Sequence, residues 1–305
     1  MSLQAELVDK IKQLKSEKNA VILAHCYQNV EVDEVADFVG DSLYLSRQAA
    51  KTDAEIIVFA GVYFMAETAK ILSPNKKVLL PRMESGCLMA NMINLKQIRE
   101  FKSQYPNVPV VCYVNSTAEV KSECDNCCTS ANAVDIVRSL NSNRVLFVPD
   151  ENLGRYVGTK LPNVEVITYP GYCPTHVRIK PEDVLEQKSL YPNAKVLCHP
   201  ECCEEVVAMA DVVGSTTAII KYANESSEKD FIIVTEYGVV ERLRRDNPDK
   251  NFIHVSFKAV CPNMKWTHLE DIYNVLLTEN NEVDVNPDYA AKSLAMIDRM
   301  LCVGV

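Results

Sequence analysis

Three cysteines carry the first chemical signal in this 305-residue sequence. Cys87, Cys173 and Cys261 lie in short loops, Glu84-Ser85-Gly86-Cys87, Tyr172-Cys173-Pro174 and Val260-Cys261-Pro262, spaced 86 and 88 residues apart. Other landmarks keep the same step. His25 stands 62 residues before Cys87, Tyr113 60 before Cys173, and His199 62 before Cys261; Ser42, Ser130 and Thr216 each follow 17 residues after those three. Phe59, Phe147 and Thr235 are 88 apart. Three copies of one unit, each ending in a thiol, predict a three-fold assembly that gathers its thiols at one centre. Three thiolates from separate lobes suit a metal ion or an iron–sulfur cluster that keeps one coordination position free.

The elements that must position these residues repeat in the same order. Ala20-Val21-Ile22-Leu23-Ala24, Glu55–Gly61 and Lys77–Leu80 read as short buried strands in the first unit. Val108–Val114, Arg144–Val148 and Val164–Tyr169 are their counterparts in the second, and Ala194–Cys198, Phe231–Thr235 and Phe252–Val255 in the third. Gly40-Asp41-Ser42 reads as a helix start, Ser130 as the cap of a helix over Ala131–Leu140, and Gly214-Ser215-Thr216-Thr217 as the opening of one over Ala218–Asn224. Nine strands alternating with helical patterns indicate parallel βαβ units. The expected fold is α/β: three tandem, pseudo-three-fold-related α/β/α sandwich domains with short parallel sheets. The divisions are an N-terminal helix at 1–18, repeats at 19–105, 106–193 and 194–266, and C-terminal helices packing on them at 267–305. In the first helix Leu3, Leu7, Ile11 and Leu14 share one face; Thr267 and Glu270 form a capping-box pattern, and Asn286-Pro287 starts the last helix.

In open parallel sheets, ligands bind beyond the C-terminal strand ends. The unusual polar residues fall there. First-strand ends supply His25, Tyr27, Tyr113, Asn115, His199 and Glu201; helix starts supply Ser42, Ser130, Ser215 and Thr216. Helix N-termini present free N–H groups and partial positive charge, so three of them converging would hold a dicarboxylate or a phosphate ester. Taken singly, each hydroxyl reads as a cap and each histidine as a hydrogen-bonded structural group. Recurrence in register three times outweighs that reading.

Composition narrows the class. The formal net charge is −9 and no basic stripe exists, which argues against a nucleic-acid partner. No apolar run approaches the ~20 residues of a membrane span. Residues 1–18 hold no signal-peptide core, so a cytoplasmic location is expected. Of the twelve cysteines, Cys112 and Cys198 sit in strand patterns and read as buried packing. Cys124-Asp125-Asn126-Cys127-Cys128 contains a Cys-x-x-Cys spacing without a second pair, so a zinc role is disfavoured there and a reversible disulfide is a minor reading. The adjacent pair Cys202-Cys203 and Cys302 carry no signal.

The set His25-Cys26-Tyr27-Gln28, Gly40-Asp41-Ser42, Glu84-Ser85-Gly86-Cys87-Leu88-Met89-Ala90, Tyr113-Val114-Asn115, Cys128-Thr129-Ser130-Ala131-Asn132-Ala133, His199-Pro200-Glu201-Cys202, Gly214-Ser215-Thr216 and Cys261-Pro262-Asn263-Met264-Lys265 closely resembles the quinolinate synthase family. The similarity runs from about Ala20 to Lys265, with Cys26 and Cys127 as local departures. The resemblance implies the three-sandwich fold and condensation of iminoaspartate (iminosuccinate) with dihydroxyacetone phosphate to quinolinate, phosphate and water, in de novo NAD biosynthesis. It implies a [4Fe–4S] cluster on Cys87, Cys173 and Cys261 with one open iron. His25, Ser42, Tyr113, Asn115, Ser130, His199, Glu201 and Thr216 would contact substrate, Tyr27 and Glu201 would transfer protons, and His199 joins them as a catalytic candidate. It also allows transient contact with the enzyme that supplies iminoaspartate. Three other readings compete: a non-catalytic iron–sulfur sensor, a zinc- or cluster-dependent aldolase or dehydratase acting on another dicarboxylate, and a dicarboxylate-binding protein whose thiols only pack.

Overall fold

A computed structural model describes residues 3–303 of the chain. Three four-stranded sheets form, and every strand pairing within them is parallel. The first contains β1 (Ala20–His25), β2 (Phe38–Gly40), β3 (Ile56–Ala60) and β4 (Lys77–Leu79). The second contains β5 (Val110–Tyr113), β6 (Asn126–Cys128), β7 (Arg144–Val148) and β8 (Glu165–Thr168), and the third β9 (Lys195–Cys198), β10 (Val212–Val213), β11 (Asp230–Val234) and β12 (Asn251–His254). The spatial orders are β2-β1-β3-β4, β6-β5-β7-β8 and β10-β9-β11-β12. In each sheet the chain leaves the first strand toward one edge and then crosses to the other. The loops beyond the first and third strands therefore diverge and leave a crevice, the usual ligand position in such sheets.

The three edge strands β2, β6 and β10 are additions to the nine expected. They are two or three residues long, too short to show a period. An aspartate precedes each and locks it to its neighbour. Asp37 Oδ2 accepts from Ile22 N, Asp125 Oδ2 from Val110 N, and Asp211 Oδ2 from Val196 N, all at 2.8 Å. The aspartate's own N–H donates back to the carbonyl of the same residue in each case. The carboxylate thus supplies the acceptor that a longer edge strand would have provided.

Structure also moves several local boundaries. Ser130 caps nothing; the helix runs Ala133–Ser139 with Asn132 at its N-cap. Ser215 is the N-cap of Thr216–Glu225, its Oγ accepting from Ala218 N at 3.3 Å. The capping box of Leu269–Thr278 is His268 with Asp271, one residue past Thr267 and Glu270, and Thr267 is buried instead. In the helix Leu3–Glu17, Val8 and Ile11 are buried while Leu3 is exposed. The helix-start residues Val62, Asp150 and Glu236 put the three units in register. By that register the counterpart of Phe59 and Phe147 is Ile233, and Thr235 lies two residues further on.

Two C-terminal helices pack on the lobes, and the second of them joins the first lobe to the second. Leu269–Thr278 buries Leu269, Ile272, Val275 and Leu276 with Val8 and Ile11 against the first sheet. Pro287–Cys302 buries Met296, Ile297 and Met300 in a core continuous from the first sheet to the second. Ile179 and Val184 pack with the third sheet.

Replacing Asp37, Asp125 or Asp211 by Ala should each destabilise by about 1–2 kcal/mol, since a buried strand N–H loses a charged acceptor. Asp249→Ala, which breaks only the surface pair with Lys229, should leave the urea midpoint unchanged. Equal midpoints for all four variants would refute the locking role.

Candidate functional site

The three crevices open into one cavity. Cys87, Cys173 and Cys261 all line it, as do His25, Tyr27, Ser42, Tyr113, Asn115, Ser130, His199, Glu201 and Thr216. Of the residues singled out from the sequence, Ser215 alone is absent from the lining, its hydroxyl being used as a cap. Sequence reasoning passed over His176, Arg178 and Asn263, which also line the cavity. The signal for the first two was present in Cys173-Pro174-Thr175-His176-Val177-Arg178, a single helical turn that must face the same way as the thiol.

A repeated backbone hydrogen bond places the thiols. The first N–H of the helix after the third strand donates to the carbonyl two residues before each cysteine: Tyr63 N to Ser85 O at 2.8 Å, Glu151 N to Gly171 O at 2.8 Å, and Tyr237 N to Ala259 O at 3.0 Å. Gly171 is required by space, because a Cβ there would sit 2.5 Å from Pro149 O. Asn263 Nδ2 then bonds Gly86 O at 2.6 Å, joining the first and third thiol loops. Burial raises the pKa of all three thiols, Cys87 to about 12, and mutual repulsion adds to it: Cys261 acts on Cys87, and both act on Cys173. Without a bound cation the thiols are protonated. Binding a metal or cluster would supply the compensating charge and release protons.

Beside the thiols lies a hydrogen-bonded chain whose bonds converge on Glu201. Tyr113 Oη donates to Glu201 Oε1 at 2.6 Å. His176 Nδ1 lies 2.7 Å from Glu201 Oε2, so this nitrogen carries the proton and donates. His176 Nε2 is then free to accept from Thr235 Oγ1 at 2.9 Å. Thr235 Oγ1 accepts from Tyr27 Oη at 3.1 Å, and Tyr27 Oη also meets Thr216 Oγ1 at 3.0 Å. Glu201 is 4% exposed and receives bonds from two sides. Burial alone would raise its pKa, but the His176 and His199 imidazoles and the hydrogen bonds from His176 and Tyr113 outweigh burial and hold it below the usual range. Burial, reinforced by the Glu201 charge, pushes both phenols well above theirs. One end of the chain is an anionic acceptor and the other a retained O–H.

His25 and His199 share a local geometry. Each Nδ1 accepts from the backbone N–H two residues on, Tyr27 N at 3.1 Å and Glu201 N at 3.3 Å. That leaves the proton on Nε2, and His199 Nε2 reaches Ser130 Oγ at 3.2 Å. Desolvation lowers both pKa values to about 3, so the site presents two neutral N–H donors. Asn115 Oδ1 is buried with no hydrogen-bond partner. An unpartnered acceptor in a cavity wall is positioned for a ligand N–H or O–H. A second donor set overlaps the first: one ligand atom each from Cys173, His176 and Glu201 lie within 4.8 Å of one another.

Together with His254, whose burial lowers its pKa to about 4, the His25 and His199 imidazoles contribute to the acid sensitivity of the metal-free protein. Each of these two titrates near 6.5 when unfolded and near 3 when folded, so the unfolded chain binds more protons between those values, and stability falls as pH drops through that window. The urea midpoint should be flat from about pH 8 to 7 and decline below about 6.5, and His25→Gln should lessen that slope by about one proton. An unchanged slope in His25→Gln would show that His25 is protonated in the folded protein.

A sequence profile described as Quinolinate synthetase A protein matches residues 9–302. The quinolinate synthase of Alkaliphilus metalliredigens is 53% identical over 298 residues, covering 98% of each chain. One from Dehalococcoides mccartyi is 54% identical over 302 residues, 99% of this chain and 100% of the relative. One from a Geobacter species is 50% identical over 300 residues, 98% of each. The chain, matched from end to end of its three lobes, belongs to the quinolinate synthetase A family.

Proposed function

We propose that the protein acts as a quinolinate synthase, condensing iminoaspartate with dihydroxyacetone phosphate to quinolinate, phosphate and water in de novo NAD biosynthesis. The observation that carries this reading is that three thiols from three loops line one cavity together with a hydrogen-bonded chain that converges on Glu201. Soft donors from Cys87, Cys173 and Cys261 fit a [4Fe–4S] cluster with one iron lacking a protein ligand. When bound, such a cluster supplies a Lewis acid that eases loss of hydroxyl from a coordinated substrate.

The chain's own residues account for the remaining steps. The Nε2–H groups of His25 and His199 hold substrate carboxylates, with hydroxyls from Ser42, Ser130 and Thr216 beside them. Asn115 Oδ1 accepts the nitrogen-borne proton of iminoaspartate and so orients it. Arg178, a cation in the lining, balances the phosphate. Dehydration needs a base at carbon and an acid at the departing oxygen. Glu201 is held ionised and takes the proton; Tyr27 keeps its O–H and gives one. Thr235 and His176 link Tyr27 to Glu201 through donors that all point toward the carboxylate, which keeps Glu201 ionised and Tyr27 in place; both groups regain their starting protonation from solvent between turnovers.

Free thiols at all twelve cysteines suit a reducing, cytoplasmic compartment. No helix among the described residues is long and apolar enough to cross a membrane. The substrates are small molecules, and transient contact with the enzyme that supplies iminoaspartate accords with this role.

Anaerobic reconstitution with iron and sulfide should give a brown protein that forms quinolinate from the two substrates. Cys173→Ser should lose both colour and product. Glu201→Gln should keep the colour and lose turnover by roughly 10²- to 10⁴-fold; full turnover with the cluster intact would remove Glu201 from the mechanism. The Cys173–His176–Glu201 donor set favours one second reading, a zinc-dependent aldolase or dehydratase on another dicarboxylate. A colourless zinc-loaded protein that is active without iron or sulfide would establish it.

A further inference from the structure

The loop Cys26-Tyr27-Gln28 leaves β1 and carries the phenol into the cavity. Its N–H groups are satisfied within the first lobe, Cys26 N by Gly40 O at 3.0 Å and Gln28 N by His25 O at 2.9 Å. Two of its carbonyls, Cys26 O and Gln28 O, are satisfied from the third lobe. The Arg242 guanidinium is 4% exposed and does not line the cavity. Its Nη1 donates to Cys26 O, to Gln28 O at 3.2 Å and to Gly238 O at 3.3 Å, and its Nη2 pairs with Asp33 Oδ1 at 2.5 Å. Asp33 in turn pairs with Arg245 at 2.7 Å. Lys265 Nζ adds a bond to Gln28 O at 3.4 Å, and Asn29 Nδ2 bonds Lys265 O and Thr267 O at 3.0 and 2.9 Å. The helix Tyr237–Asp246 comes so close that a Cβ on Gly238 would lie 2.9 Å from Cys26 O.

Arg242 therefore grips the carbonyls on both sides of Tyr27, while the phenol at the other end bonds Thr216 and Thr235 of the same lobe. We propose that Arg242 is a positioning residue, fixing the 26–28 loop so that Tyr27 Oη stays in line with Thr235 and His176. This rests on the catalytic reading given to Tyr27 above. The planar guanidinium suits the task because one group must reach three carbonyls and a carboxylate at once, which an ammonium cannot. Proximity of the same charge also helps keep His25 neutral.

The test places 3-fluorotyrosine at Tyr27, or at the exposed Tyr191 as control, in the reconstituted enzyme, and records fluorine NMR beside kinetics. Arg242→Met should lower kcat by roughly 10- to 100-fold with KM for both substrates within about twofold, because a small misplacement of an acid acts on the reacting state. Cluster absorbance should persist, the Tyr27 resonance should shift or broaden, and the Tyr191 resonance should not. Arg242→Lys should recover part of the rate. If Arg242→Met does not fold, Asp33→Asn should move the Tyr27 resonance in a smaller degree. Unchanged kcat and Tyr27 resonance in the variants would overturn the proposal, and so would parallel loss of cluster, KM and both resonances. A shifted Tyr27 resonance in a wild-type background that makes no quinolinate would sustain the positioning role and sink the enzymatic reading.

Discussion

A carboxylate ionised in a place almost without water is the constraint on which the site depends. Glu201 keeps its charge only because Tyr113 and His176 donate to its two oxygens from the second lobe and its thiol loop. A buried charge lacking such partners is strongly destabilising, so these bonds oblige the second and third lobes to close on one another. Closure also completes the cavity. His176 faces Cys173 on one side, Glu201 on another and Thr235 on a third, and so ties the thiol loop to the hydrogen-bonded chain. The geometry that makes Glu201 an acceptor is the same geometry that gathers the thiols.

Three-fold repetition governs the scaffold, and departures from it mark the chemistry. The aspartate locks of the edge strands and the carbonyl bonds before each thiol recur unchanged. The residues projecting into the cavity do not. First-strand ends give His25, Tyr113 and His199, two neutral donors and a phenol. The helix-start register gives Val62 in the cavity lining and, behind the cavity wall, Asp150 and Glu236, and of their side chains Glu236 bonds a thiol loop, accepting from Cys261 N at 3.2 Å. A symmetric frame fixes distances, and asymmetric side chains then distinguish the two ends of a substrate.

Four of the other cysteines, Cys112, Cys127, Cys198 and Cys202, serve as buried packing, whereas Cys302 is exposed. Cys112 and Cys127 are register partners on β5 and β6, and both are fully buried. Cys198 and Cys202 are buried in the third lobe. Only their local environment, apolar and closed, separates them from the three that face the cavity.

Residue type and spacing alone determined the parallel α/β class, the three-fold order and the set of residues beyond the strand ends, because short apolar strands, loop thiols and polar strand ends are local features repeated at a constant interval. Tertiary structure decided the rest. His176 reads in sequence as one more residue after Cys173, and Thr235 as a strand residue in step with Phe59 and Phe147; their roles exist only where two lobes meet. Arg242 is indistinguishable from its neighbours Arg244 and Arg245 until the loop around Tyr27 is packed on its helix. Asn132 rather than Ser130, and His268 rather than Thr267, became caps because backbone geometry at a helix start is settled by how the helix docks. Local pattern encodes which elements form and in what order, whereas partners brought from 88 residues away, as Tyr113 is to Glu201, are chosen by the closing of one lobe on another.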